Sequence, residues 1–135
     1  MRTQLDRVLA FAAGSRVPGG FGYLGDDGSV LADRPVETWI TGRMTHVFGL
    51  ATLLGHPGAR ELAAHGVDAL RTGPLHDAEH GGWLSAAAGD GAGTKAAYVH
   101  AFVVLAGATA TTAGIEGGRA PVSYTHLTLP TILRV

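Results

Sequence analysis

Apolar residues recur at three- and four-residue intervals in four separate stretches, each closed by a turn-forming residue. The first runs from about Thr3 to Ala13, with Leu5, Val8, Leu9 and Ala12 on one face. The second runs from about Val36 to Leu54. Asp33, Pro35 and Glu37 give it an acidic, proline-led start, and Gly55 and Pro57 give it a stop. The third spans about Ala59 to Arg71 and ends before Gly73-Pro74, and the fourth spans about Lys95 to Ala113 and ends at Gly114. The pattern predicts an all-α chain of helical hairpins.

Two glycine-rich connections interrupt the helices, GGFGYLGDDGSV (19–30) and GGWLSAAAGDGAG (81–93). Each opens with Gly-Gly and an aromatic residue and then a turn containing Gly-Asp, which predicts a short β-hairpin or extended loop. Each is followed by a helix carrying His-x-Phe, at His46–Phe48 and His100–Phe102. The Gly-Gly pairs lie 62 residues apart and the His-x-Phe pairs 54 apart, which points to a helical repeat made of stacked αα-hairpins. Two such units do not close on themselves, so the fold wants more chain.

Composition narrows the function. Of 135 residues, 46% are hydrophobic and 16% charged, so the chain is globular rather than disordered, and one domain is expected. The net charge is −1 and Lys95 is the single lysine, which argues against a nucleic-acid partner. There is no cysteine, hence no disulfide, thiolate metal site or cysteine nucleophile. No apolar run reaches the ~18 residues of a membrane span, and a cytoplasmic protein with no membrane partner is expected.

Three clusters carry candidate chemistry. HDAEHGGW (76–83) contains H-x-x-E-H, one of the zinc-protease patterns. A zinc pair at i and i+4 needs a continuous helix, and here Gly73-Pro74 and Gly81-Gly82 flank it closely. A turn in which Asp77, Glu79 and His80 bind the backbone is the better expectation, with no metal. In the second helix Trp39, Arg43, His46 or Val47, and Leu50 share a face, so Arg43 and His46 are expected among buried neighbours. Either Arg43 pairs with a carboxylate there and His46 is a core residue, or Arg43 beside Trp39 lines a polar cavity for an oxygen-rich ligand. In the fourth helix Tyr98 and His100 stand two apart in an apolar run and read as core residues. The chain has no G-x-S-x-G, phosphate loop or dinucleotide fingerprint, and GDGAG (89–93) reads as a turn.

The segment VSYTHLTLPTILRV (122–135) breaks with the preceding Ala/Gly-rich pattern. A C-terminal strand is one reading. Its codons also back-translate to a transposon-end sequencing adapter, so residues 1–121 are expected to be the native part and 122–135 a non-native tail.

GGFGYLGDDG, ETWITGRMTHVF, GPLHDAEHGGW and KAAYVHAF, in this order and spacing, resemble the N-acylglucosamine 2-epimerase family, nearest its mannose and sulfoquinovose isomerase branch. The resemblance covers residues 3 to about 120. It implies that the αα-hairpins are about the first third of an (α/α)6 barrel. It also implies a parent enzyme that converts an aldose to a ketose, such as mannose to fructose, through a cis-enediolate, without metal or nicotinamide cofactor. The W-x-x-x-R pair of the family maps to Trp39, a wall of the sugar pocket, and Arg43, which would bind sugar oxygens and stabilise the enediolate. Tyr98 and His100 map to further sugar contacts, although Val99 stands where many relatives carry Asp. The general acid and base histidines of the family belong to later chain, so the fragment is expected to be inactive and, with apolar faces uncovered, to self-associate. The alternatives are 2-epimerisation of N-acylglucosamine, against which R-M-T-H argues modestly, and a non-catalytic helical binding module.

Overall fold

A computed structural model describes residues 3–119. It contains four helices, α1 (Gln4–Ala13), α2 (Thr38–Leu53), α3 (Ala59–Thr72) and α4 (Ala97–Thr112). A two-residue antiparallel hairpin, β1 (Arg16–Val17) with β2 (Gly20–Phe21), pairs Arg16 with Phe21 and Val17 with Gly20. A 3-10 turn covers Asp90–Gly93. The architecture is mostly helical and fits part of an (α/α)6 barrel, as the resemblance implies. Among the described residues no helix is long and apolar enough to cross a membrane. The boundary expected at residue 121 lies outside them.

Local chemistry sets the helix ends. At the start of α1, the Thr3 hydroxyl accepts from the Asp6 amide at 3.1 Å, and the Asp6 carboxylate accepts from the Thr3 amide at 3.0 Å, so two otherwise unpaired donors are satisfied. These bonds hold the Asp6 carboxyl below its usual pKa. The second and fourth helices end alike. Gly55 (φ +79°) and Gly114 (φ +73°) enter the left-handed region, and the next amides, of His56 and Ile115, reach back to Ala51 and Ala110 at 2.9 and 2.8 Å.

The second helix is the hub, packing along both α3 and α4, which touch each other far less. It packs through small residues: Thr38, Thr41, Gly42, Thr45 and Gly49 are all buried. Gly66 of α3 sits against Thr45, and a Cβ on Gly42 would lie 2.8 Å from the Phe102 carbonyl oxygen on α4. A Cβ on Gly49 would lie 2.7 Å from the Thr109 methyl. One core cluster gathers Phe21, Phe48, Ala63, Val67 and Ala110, and a second gathers Leu70, Leu75, Trp83, Val103 and Ala106. Burying a side chain such as Phe21 contributes about 2 kcal/mol.

The repeat is real, but its register is not the one that His-x-Phe suggests. The backbone amide of Phe21 donates to the Thr41 hydroxyl at 3.2 Å, and that of Trp83 donates to His100 Nε2 at 3.0 Å. Thr41 and His100 are each the fourth residue of their helix, so the two units superpose 59 positions apart along the helices. His46 and His100 are therefore not equivalent. What recurs is a side-chain acceptor for the amide after Gly-Gly, and a threonine or a histidine can supply it.

HDAEHGGW folds as a turn. His76 bridges to Trp83 in antiparallel fashion, and the Glu79 and His80 amides donate to Asp77 Oδ1 at 3.1 and 2.9 Å. Lys95 Nζ clamps the turn through Asp77 Oδ2 at 2.7 Å and the Gly81 carbonyl at 2.6 Å. With these partners the Asp77 carboxyl is held well below its usual pKa, the Lys95 bond being the largest cause. The continuous helix that would align His76 with His80 does not form.

Candidate functional site

The sides of α2 and α4 that carry the longer side chains are the less buried ones, Thr109 excepted. Trp39, Arg43, His46, Leu50 and Leu53 form a row on α2 at alternating four- and three-residue steps, and Tyr98, Phe102, Leu105, Thr109 and Thr112 form the matching row on α4. Trp39 meets Phe102 edge-on, with ring centroids 6.3 Å apart, and seven residues further along both helices His46 Nδ1 meets Thr109 Oγ1 at 2.6 Å. The two contacts advance in step, so the helices run parallel. Between and beyond them the rows leave a groove. Its far end is a cavity of about 180 Å³ lined by Leu50, Leu53, Ala108, Thr109 and Thr112.

At the near end the groove is aromatic. Tyr98 packs edge-on against Phe102 at 5.2 Å while remaining 66% exposed, so Trp39, Phe102 and Tyr98 make one continuous ring surface. The Trp39 indole is fixed from behind: its Nε1 donates to Glu37 Oε2, which also accepts from the Tyr23 hydroxyl at 2.9 Å. Burial and this carboxylate raise the Tyr23 pKa, and the Arg34 guanidinium lies over its ring at 4.1 Å.

Arg43 follows Trp39 by one turn. It is exposed, contrary to the expectation of buried neighbours, because α2 buries its Thr/Gly side instead. Glu37, the nearest acidic residue in sequence, is engaged by Trp39 and Tyr23, and among the described residues the Arg43 side chain makes no hydrogen bond or ion pair. A forked donor without a protein acceptor, next to an aromatic wall, suits an oxygen-rich ligand.

The expected site residues thus separate. Trp39, Arg43 and Tyr98 share the groove. His100 does not reach it: it is fully buried on the opposite side of α4, its Nδ1 donating to the Ala96 carbonyl at 2.7 Å and its Nε2 accepting from the Trp83 amide. Phe102, Glu37 and His46 belong to the groove or its support. Phe102 was legible as the residue one turn after Tyr98, but nothing in the sequence marks Glu37 as the anchor of Trp39.

Burial lowers the pKa of His100, and also of His46 and His76. A histidine depressed in the fold remains uncharged while the unfolded chain takes up its proton. Its stabilisation is complete above about pH 6.5 and is lost as pH falls through the lowered folded value. The melting temperature is therefore expected to fall between pH 7 and 5, and His100→Gln, which never charges, to flatten that slope. Thermal melts at pH 7, 6 and 5 check this. An unchanged slope would mean that His100 is not the buried neutral group described.

Parallel helices, each preceded by a Gly-Gly-aromatic turn, with a groove between them bordered by aromatic rings and an uncommitted arginine, fit a repeat of an α/α barrel. The chain belongs to the N-acylglucosamine 2-epimerase (GlcNAc 2-epimerase) family, whose sequence profile it matches over residues 19–134. It is 48% identical over 118 residues to a D-mannose isomerase of Pseudomonas cannabina pv. alisalensis, an alignment covering 87% of this chain and 28% of that protein. It is 50% identical over 119 residues to a D-mannose isomerase of Thermobifida fusca, covering 84% of this chain and again 28% of the relative. The chain thus spans little more than a quarter of the length of these curated relatives. The profile match runs through most of the segment read from codons as foreign, which lies outside the described residues.

Proposed function

We propose that this chain is the N-terminal part of a sugar aldose–ketose isomerase of the mannose-to-fructose type, and that the α2/α4 groove is one wall of its sugar pocket. The carrying observation is the exposed, uncommitted Arg43 guanidinium one helical turn after Trp39, whose ring meets Phe102 and, through it, Tyr98. The relatives named D-mannose isomerase support the substrate class.

In this reading the flat apolar face of the sugar lies on Trp39 and Tyr98, and Arg43 binds its oxygens. When a proton leaves the carbon next to the carbonyl, charge gathers on the oxygens as an enediolate, and the fixed Arg43 charge stabilises it. His100 is then a positioning residue that holds the Trp83 hairpin rather than a sugar contact. Proton transfer itself needs a base on the opposite side of the sugar, which later chain would supply, so the 135 residues alone are inactive. No metal or cofactor is assigned a part. A cytoplasmic location fits this metabolism. Self-association is proposed through the uncovered Leu50, Leu53 and Leu54, which are 44%, 53% and 73% exposed.

The family description favours a second reading, 2-epimerisation of N-acylglucosamine. Saturation-transfer NMR on the chain separates the two. Signals from D-mannose and D-fructose with weak or no signal from N-acetylglucosamine are expected, and the reverse order would favour the epimerase.

A further inference from the structure

His46 sits on the sugar-facing row and has so far been given no part. Threonines in these helices mostly return their hydroxyl to the carbonyl four residues back, as Thr45, Thr52, Thr111 and Thr112 do. Thr109 departs from this habit: its hydroxyl meets His46 Nδ1 at 2.6 Å and makes no such back-bond. A hydroxyl hydrogen needs an acceptor, and among the described residues the one Thr109 has is the imidazole nitrogen. With Thr109 as the donor to Nδ1, the ring proton of His46 stands on Nε2.

Nε2 is not sealed in the core. His46 is half-buried, and among the described residues its Nε2 has no partner while no buried side-chain nitrogen or oxygen lacks one. Among these residues the atom is therefore open to solvent. His46 also lies three residues after Arg43, a spacing that makes the two side chains neighbours on the helix surface.

We propose that His46 is a further sugar contact, a neutral Nε2–H donor oriented by the Thr109 hydroxyl and acting beside the charged donor Arg43. This rests on the groove being the sugar site. The two donors would be selective for a ligand presenting adjacent acceptor oxygens, the carbonyl and its neighbouring hydroxyl in the open-chain form of an aldose or ketose. A neutral donor binds such an oxygen without adding a second positive charge next to Arg43.

The ring tautomer can be read without any sugar. In the ¹⁵N-labelled 135-residue chain at neutral pH, long-range ¹H–¹⁵N correlation should show His46 as the Nε2–H tautomer, assigned by its disappearance in His46→Gln. Thr109→Val, which keeps the shape and removes the hydroxyl, should convert it to a mixture. On titration with D-mannose, the His46 ring signals should shift. His46→Asn, whose amide reaches only the Nδ1 position, should weaken mannose binding about 10-fold, the effect of one hydrogen bond. His46→Gln, whose amide reaches the Nε2 position, should stay near wild type. An Nδ1–H tautomer overturns the inference whatever the sugar does. Mannose binding that Arg43→Ala abolishes but His46→Asn and Thr109→Val leave intact overturns it while the sugar groove stands. No mannose response in the wild-type chain overturns both.

Discussion

Gly66→Ala is expected to destabilise the protein by about 2 kcal/mol, within the range for overpacking a tight core contact. Helix propensity alone argues the other way, since replacing a mid-helix glycine by alanine gains about 1 kcal/mol. The contact decides the sign. A Cβ at Gly66 would overlap the Thr45 hydroxyl and lie 2.9 Å from Thr45 Cβ and 3.1 Å from Phe21 Cε2. Thr45 has little room to yield, because it is fully buried and its hydroxyl is bonded to the Thr41 carbonyl at 2.7 Å. The α2–α3 distance must then increase, which loosens the packing of Phe21 and Phe48 beneath it. In a double-mutant cycle, Thr45→Ala should recover part of the loss and not all of it, since the Cβ and Phe21 contacts remain. Urea melts of the four variants measure this. A Gly66→Ala protein more stable than wild type would show that the helices can separate freely, contrary to the packing described.

Arg43→Ala is expected to weaken mannose binding about 10- to 100-fold, as loss of charge-assisted hydrogen bonds does. The melting temperature should not move, because Arg43 is exposed and, among the described residues, has no protein partner to lose. Arg43→Lys should recover only part of the affinity: it keeps the charge but not the planar fork that engages two oxygens. The pair of readouts separates the readings. Affinity lost at constant stability is what a ligand contact predicts. Stability lost without any sugar-dependent signal is what a scaffold or partner-binding module predicts, and it would remove the groove from consideration as a sugar site.

The helices were legible from local chemistry. Gly55 and Gly114 mark the ends of α2 and α4 because a left-handed residue is needed there to turn the backbone onto its last carbonyls. The third helix keeps its apolar residues in one stripe, so its buried side, Ala59, Ala63, Val67 and Leu70, follows from spacing. The HDAEHGGW turn was legible too, since flanking glycines and a proline leave Asp77 little choice but to bind the amides after it. The resemblance supplied what spacing did not: the barrel, and the expectation that Trp39, Arg43 and Tyr98 belong together, which their places along one groove support.

For α2 and α4 the sequence alone could not say which side is buried. Both are apolar nearly all round, and periodicity has no direction when every face is greasy. The decision came from shape: the glycine and threonine rows allow helix axes to approach closely, so those rows face inward and the larger residues, with Arg43 among them, are left outside. The same packing carried His100 into the core to accept the Trp83 amide and brought His46 onto Thr109, 63 residues away. The sequence by itself determined where helices start and stop, because those signals act over a single turn of chain. The tertiary structure decided which side chains stay exposed along the groove, because that depends on partners brought together only when the helices pack.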